Sequence, residues 1–181
     1  MITPREPPPL VPVPASQFGA LRGRRIIIGL PGTGFRNDLR ADDPIVQGSR
    51  TYVPVLTEQD YYRAEMDRIE AFALLVPIER VWVEWAGDQP QSTTPQSGLL
   101  DRPPTAKPMP VLGTNSPIGR RVVQEVPDGF IRDIRAVTPV YVNADGMPSV
   151  QICGEAEWYR WAAAGSIPGV TRVDASHLWI E

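Results

Sequence analysis

The residue types that most often carry covalent or metal chemistry are scarce in this sequence. Cys153 is the only cysteine and His177 the only histidine. One cysteine excludes an intrachain disulfide and a thiolate metal cluster. One histidine leaves no second imidazole for a metal and no confident Ser/His/Asp set. We therefore predict that Cys153 is a small buried hydrophobic residue and that His177 makes a polar contact at a strand end.

Two short motifs could bind a phosphate or a cation. Residues 29–34 (Gly-Leu-Pro-Gly-Thr-Gly) are glycine-rich, but the Lys-Ser/Thr ending of a phosphate loop and a following helix are both missing. A β-turn is the favoured interpretation. Asp42 and Asp43 are adjacent acids without further oxygen ligands spaced nearby, which favours a solvated turn over a cation site. The sequence thus predicts no enzyme, no cofactor and no metal site.

Arginines are the remaining candidates for binding. Short basic clusters stand where two repeated segments begin, and they are candidate interface or DNA-facing residues. They carry no interleaved aromatic residues, so solvated strand edges or salt bridges between subunits are the favoured alternative. The cluster residues are Arg22, Arg24, Arg25, Arg120 and Arg121.

Two arginines and two glutamates recur in equivalent positions and are candidate structural pairs. Arg63 with Glu84, and Arg160 with Glu181, could bridge a helix to a closing strand. Trp82 and Trp179 precede the two glutamates and are predicted to face the core. An exposed aromatic binding patch is the alternative.

The sequence repeats at a constant spacing, which indicates two copies of one unit of about 60 residues. Residues 53–84 match residues 150–181 without a gap (150 − 53 = 181 − 84 = 97). The matched residues are Val53, Val55, Glu58, Tyr61, Tyr62, Arg63, Trp82, Val83 and Glu84, with Val150, Ile152, Glu155, Trp158, Tyr159, Arg160, Trp179, Ile180 and Glu181. Upstream, Gly23-Arg24-Arg25 matches Gly119-Arg120-Arg121, and Phe35-x-x-Asp38 matches Phe130-x-x-Asp133. Cys153 aligns with Leu56, which is not expected of a catalytic thiol.

Hydrophobic patterning predicts mostly strands, with one helix in each copy. In the first copy, Thr57 is a good N-cap for a helix whose apolar stripe extends to Ile69 and Phe72. Pro54 lacks an N–H, so its strand is expected at an edge or bulge. Gly165 is a natural end for the second helix. The predicted strands are 25–30, 35–41, 52–56, 80–84, 120–126, 130–136, 139–142, 149–153 and 177–181, and the second helix is 155–164.

Proline-rich segments divide the chain. Residues 1–22 are an N-terminal arm, which is expected to drape over a neighbour or stay loose, although Pro9-x-x-Pro12 could be a ligand for an aromatic groove. Residues 87–118 are a linker rich in Pro, Ser, Thr and Gln. Residues 23–86 and 119–181 are the two units. We predict a mainly β (α+β) fold of two tandem small β-barrel, SH3-like units, each with one helix, from an internal duplication.

Composition sets broader limits. The 181 residues carry a net charge of −3, so no global field attracts nucleic acid. No apolar run reaches the length of a membrane span, and the N-terminus lacks a signal pattern. A soluble protein made in a reducing cytoplasm is the expectation. Of 18 basic residues only Lys107 is lysine, a skew attributed to a GC-rich coding genome rather than to selection for guanidinium contacts.

The repeated Gly-Arg-Arg, Phe-x-x-Asp and Trp-Val/Ile-Glu segments, with the arginine skew and the proline-rich ends, resemble structural proteins of tailed phages that infect high-GC actinobacteria. The resemblance, which is one of general style, is to the β-rich head-to-tail connector, or stopper, proteins of the virion neck. Those are usually single small β-barrels, so the two units and the long linker depart from the pattern.

That resemblance implies a virion protein without a cofactor, which forms a homo-oligomeric ring with neck proteins on the portal or adaptor side and on the tail side. The ring would join head to tail and help to retain packaged double-stranded DNA, with no membrane partner. The alternatives are a capsid decoration or minor tail protein, and a cellular adaptor whose paired SH3-like modules bind proline-rich peptides. An enzyme is the remote fourth option.

Overall fold

The chain folds into two compact units of the same design. The structure, a computed structural model, describes residues 3–87, 102–165 and 167–181. Leu10–Ala106 form the N-terminal unit, and Lys107–Glu181 with Met1–Pro9 form the C-terminal unit. Each unit has one curled sheet of seven strands and one α-helix. The predicted fold class, two tandem small β-barrel units with one helix each, is therefore confirmed.

All seven strands of the N-terminal unit pair antiparallel, and their order is β1-β7-β2-β3-β5-β4, with β6 on the other side of β5. A 3-10 turn at Ile78–Arg80 leads into the last strand. The elements are β1 (Val11–Pro14), β2 (Arg25–Leu30), β3 (Gly34–Ala41), β4 (Ile45–Gln47), β5 (Arg50–Thr57), α1 (Glu58–Asp67), β6 (Leu74–Pro77) and β7 (Val81–Trp85).

The C-terminal unit repeats this topology strand for strand, in the order β8-β14-β9-β10-β12-β11 with β13 beside β12. Its 3-10 turn is Ala175–His177. The elements are β8 (Met109–Pro110), β9 (Arg121–Val126), β10 (Gly129–Ala136), β11 (Tyr141–Val142), β12 (Pro148–Gly154), α2 (Glu155–Ala164), β13 (Thr171–Asp174) and β14 (Leu178–Ile180). The common order agrees with the predicted duplication.

Each sheet curls around its own apolar core of mainly β-branched residues, which pack well on a pleated surface. Ile26, Val53 and Val81 are fully buried in the first core, and Val122 and Val150 in the second. Removing such side chains from water is the main favourable contribution to folding.

The repeated Phe-x-x-Asp motif encodes a β-bulge. The β2–β3 register shifts between Ile26 and Ile28, and the β9–β10 register shifts between Ile131 and Ile134. Asp38 and Asp133 lie within these shifts, each with φ of 60°. Aspartate tolerates the left-handed region better than most residues with a Cβ, and the extra residue increases the local bend of the strand. The duplicated aspartate therefore sets the curl of both sheets.

The first helix is shorter than its apolar pattern suggested. Thr57 caps it as predicted: its Oγ1 accepts from the Asp60 N–H at 3.1 Å and donates to the Asp60 carboxylate at 2.8 Å. The helix ends at Asp67, and Arg68 turns away in the left-handed region with φ of 52°. The prediction that the helical stripe extends to Ile69 and Phe72 is therefore wrong. In the second unit, helix 155–164 and its end at Gly165 are confirmed.

Of the two positions expected for the Pro54 strand, an edge or a bulge, the edge position is wrong. β5 has neighbours on both sides, because β3 and β4 pair with different ends of one side and β6 with the other. The Pro54 carbonyl accepts from the Asp42 N–H at 2.9 Å, within the break between β3 and β4. N–H and C=O of one strand residue point to the same side, so the missing donor faces this break.

The equivalent residue of the C-terminal unit, Gln151, keeps its N–H. That N–H donates to Thr138 Oγ1 at 3.0 Å, and the Gln151 carbonyl accepts from the Val137 N–H at 2.8 Å. At this position the backbone N–H has a threonine hydroxyl as its acceptor in one unit, and proline removes the N–H in the other.

The segments predicted as arm and linker contribute strands. β1 lies within residues 1–22 and pairs with β7, and β8 lies within residues 87–118 and pairs with β14. Pro12-x-Pro14 and Pro108-x-Pro110 share the offset of Gly23 and Gly119 (108 − 12 = 119 − 23 = 96). The repeat therefore begins earlier than Gly23. Residues 88–101 of the predicted linker lie outside the described residues.

We predict that Thr138→Val destabilises the C-terminal unit by about 1 kcal/mol, because the half-buried Gln151 N–H then loses its acceptor. The cost should nearly vanish in a Gln151→Pro background, which has no such N–H and copies Pro54. Hydrogen exchange of the most protected amides in each unit measures this free energy. Equal costs in the two backgrounds would contradict the argument.

Candidate functional site

A buried arginine connects sheet, helix and loop in the N-terminal unit. Arg40 on β3 donates to the Gly23 carbonyl at 2.8 Å and to the Tyr62 hydroxyl at 2.9 Å. Its Nε lies 3.4 Å from the carboxylate of Glu58, which is 1% exposed. These contacts join the entrance of β2 to the first two turns of α1.

The C-terminal unit contains the same cluster, in which Arg121 also contacts the glutamate. Arg135 donates to the Gly119 carbonyl at 2.7 Å and to the Tyr159 hydroxyl at 2.9 Å. The Glu155 carboxylate lies 3.6 Å from Arg135 Nε and 3.3 Å from Arg121 Nε, and Glu155 is 1% exposed. We call these two groups the arginine–glutamate clusters.

The local fold places each member of a cluster. Glu58 and Glu155 are the first residues of their helices, where the free N–H groups favour a negative charge. Gly23 and Gly119 have φ of 76° and 74°. A Cβ at Gly23 would stand 2.9 Å from the Tyr61 hydroxyl, so the conformation and the close approach of the helix both call for glycine.

The clusters are structural rather than reactive. Their carboxylates are closed off from solvent, and Arg40 and Arg135 each contact a carbonyl, a phenol and a carboxylate at once. A buried ion pair adds little net stability relative to a packed apolar pair, but removing one partner leaves an uncompensated charge. Each cluster therefore fixes how its helix starts on its sheet.

The predicted basic set divides by burial. Arg25 and Arg121 are buried. Arg24 lies with its guanidinium 4.8 Å from the Phe18 ring centroid. Arg22 is exposed, and its Nε lies 2.8 Å from Asp42 Oδ1. Burial by itself would raise the pKa of Asp42. The hydrogen bonds from Arg22 and from the Asp43 N–H outweigh burial and lower this pKa below its usual value.

Arg120 is also exposed. The DNA-facing role stays a prediction, and Arg22 and Arg120 are the members that a partner could reach without opening a cluster.

Two members of the candidate structural pairs, Arg63 and Glu181, contact charged side chains that sequence analysis did not pair with them, and the pairs themselves stay a prediction. Arg63 lies 3.8 Å from Asp67 on the outer face of its own helix. The Glu181 carboxylate is held by Arg132 on β10. Trp82 and Trp179 are buried, as predicted, and Phe35 and Phe130 pack edge-on against them. The exposed aromatic patch is thereby excluded at these two tryptophans.

Cys153 is buried, and desolvation raises the pKa of its thiol to about 11, so the reactive thiolate is disfavoured at neutral pH. His177 ends the 3-10 turn before β14, and its Nδ1 lies 2.9 Å from Glu125 Oε2. Both sequence predictions are confirmed.

Glu125 is the center of a second charged group, which sequence analysis missed. Arg5 Nε donates to Glu125 Oε1 at 2.9 Å, opposite the His177 contact. The hydrogen bonds from Arg5 and His177 lower the pKa of Glu125 from 4.5 to about 2. Arg5 and Glu125 have no counterparts in the repeat, so no sequence signal connected them.

Apolar side chains are exposed on the loop after the helix in both units. Phe72 is 96% exposed and Ile167 is 92% exposed, with Ile69, Leu74 and Val170 also exposed. In the N-terminal unit this loop borders an open pocket of about 690 Å³, whose lining includes Arg22, Tyr61, Glu65, Ile69 and Phe72.

Within the described residues, no group of three or more His, Cys, Asp or Glu side chains could hold a metal ion. No helix in that part of the chain is long and apolar enough to cross a membrane.

Comparison of the chain with family models, with curated proteins and with solved structures returned no match.

Glu155→Ala should destabilise the C-terminal unit by about 3–5 kcal/mol, because it leaves buried arginines without their carboxylate. Glu157→Ala, an exposed change in the same helical turn, is the matched control and should cost less than about 1 kcal/mol. Hydrogen exchange, resolved by unit, measures both. If Glu155→Ala lowered the unfolding free energy no more than the control, the structural role of this arginine–glutamate cluster would be excluded.

Stability should also depend on Glu125 in acid. Its pKa is lower in the folded chain than in the unfolded one, so its contribution is complete above about pH 4.5 and fades as the pH falls towards 2. The difference in unfolding free energy between wild type and Glu125→Gln should therefore shrink between pH 6 and pH 3. Chemical unfolding at both pH values measures it, and a constant difference would contradict the assignment.

Proposed function

We propose that this chain is a non-enzymatic structural protein of a phage virion neck, which joins head to tail as part of a homo-oligomeric ring. The observation that carries the proposal is the exposed apolar loop after the helix, present in both units. Exposed apolar side chains grouped on one loop of a small domain favour a protein-binding site. Two such loops on one chain suit an assembly in which each copy meets more than one neighbour.

The rigid frame of each unit supports the same conclusion. The buried clusters hold the helix start, while the helix end and its loop face outward. Arg22 and Arg120 are the exposed basic residues that could face packaged DNA in the ring.

A second candidate, a peptide-binding adaptor, is favoured by one specific observation. The C-terminal unit already holds an extended proline-rich segment, the chain's own residues 3–9, through Arg5. This is the behaviour expected of a module that recognises such peptides.

The wild-type chain is expected to form closed rings, visible by light scattering and by negative-stain images of the same fraction. Phe72→Ser and Ile167→Ser together should shift it to monomer without loss of fold, because they remove apolar contact area. Val142→Ser changes an exposed apolar residue outside these loops and should leave rings intact. A monomeric wild-type chain would count against the ring and favour the decoration, minor tail or adaptor alternatives.

A further inference from the structure

The C-terminal unit holds an extended peptide in a built site. Residues 3–9 (Thr-Pro-Arg-Glu-Pro-Pro-Pro) form no helix or strand. Proline restricts such a segment before it binds, so that little conformational entropy is lost on docking. Pro7 is buried in the unit, whereas Thr3, Glu6 and Pro9 remain exposed.

Arg5 is the principal anchor. Its Nε donates to Glu125 Oε1 at 2.9 Å, and its Nη2 donates to the Val126 and Pro127 carbonyls at 2.8 and 3.3 Å. The guanidinium carbon lies 5.6 Å from the Phe130 ring centroid. With Arg5 in place, the Glu125 side chain is only 10% exposed, so the bound arginine and the unit together shield the carboxylate from water. A carboxylate, two carbonyls and an aromatic ring together select a guanidinium.

A second anchor fixes the register of the segment. Arg132 Nη2 donates to the Pro8 carbonyl at 3.0 Å, while the same guanidinium holds Glu181. The unit thus recognises the arginine side chain of the peptide and, three residues later, a main-chain carbonyl. Both anchors come from the β9–β10 hairpin.

The N-terminal unit lacks this site although it has the same fold. The repeat register places Gly29 at the position of Glu125 and Asn37 at that of Arg132, and only Phe35 matches Phe130. The site is therefore specific to one unit, and the other serves as an internal negative control.

We propose that the β9–β10 hairpin is a recognition site for an extended, proline-rich segment with an arginine, and that a second copy of the chain can supply this segment. In the chain, residues 10–106 separate this segment from the rest of its unit, which begins again at Lys107. Arg5 itself is 54% exposed, so little packing resists its exchange. A segment from another copy would make identical contacts, so exchange is governed by concentration. The site does not depend on the proposed virion role.

The first test uses the full-length Arg5→Ala chain, whose own segment lacks the anchor, and a labelled peptide of residues 3–10, followed by fluorescence anisotropy. Saturable binding is expected, weakened about tenfold or more by Arg5→Ala in the peptide, because charged hydrogen bonds are lost. Arg5→Lys should weaken it also, since lysine lacks the planar fork. Undetectable binding, or equal binding of the wild-type and Arg5→Ala peptides, would overturn the proposal without any change to the protein site.

The second test asks for exchange between full-length copies. Arg5→Ala disables the segment and leaves the site, and Glu125→Ala disables the site and leaves the segment. All variants carry Phe72→Ser and Ile167→Ser as well, which removes the proposed ring contacts. Native mass spectrometry should show a mixed dimer of the two variants, absent when Arg5→Ala is mixed with an Arg5→Ala, Glu125→Ala double variant. Circular dichroism confirms that each variant is folded. No mixed dimer at concentrations that saturate the peptide site would overturn exchange between copies.

Discussion

The structure depends on one buried interaction made twice: a carboxylate at the first residue of a helix, bound by arginine from the sheet. Glu58 and Glu155 are removed from water, and this is tolerable only because charge, helix dipole and hydrogen bonds compensate them together. The interaction is directional, unlike the apolar cores, so it fixes the orientation of each helix. The carbonyls of Gly23 and Gly119 complete the arginine's contacts, and the positive φ of both residues explains why they are glycines.

Duplication preserved this frame and let the periphery diverge. Pro54 and its counterpart Gln151 face the same break in the sheet, and neither leaves a backbone N–H unpaired there. Pro54 has no N–H, and the Gln151 N–H donates to Thr138. Both units have this hairpin, but the site that binds Arg5 exists in one unit only, since Glu125 stands where the other unit has Gly29. The two units therefore share how they fold and differ in what they can bind.

The sequence predicted nine of the fourteen strands in the described residues, both helix starts and the fold class, because these depend on local periodicity and capping. The missed strands are at most four residues long, too short to show a period: β1, β4, β6, β8 and β13. The sequence did not predict the clusters, although every member recurs in the repeat. The repeat indicates Arg63 as a structural arginine, but one residue along a helix is a turn of about 100°. That rotation places Tyr62 towards Arg40 and Arg63 towards Asp67. The contact of Arg5 with Glu125 spans the chain and is unrepeated, so neither pattern nor spacing could reveal it.

The frame also explains where the apolar loops lie. The clusters anchor only the helix starts, and Arg68 in the left-handed region ends the first helix before its apolar pattern does. Ile69 and Phe72 would have extended the buried stripe, but they are turned out to solvent. Exposing a phenylalanine ring almost completely forgoes stability that burial would supply. A second exposed apolar residue, Ile167, lies on the corresponding loop of the other unit, so this cost is incurred twice, and contact with a neighbour in the proposed ring would recover it.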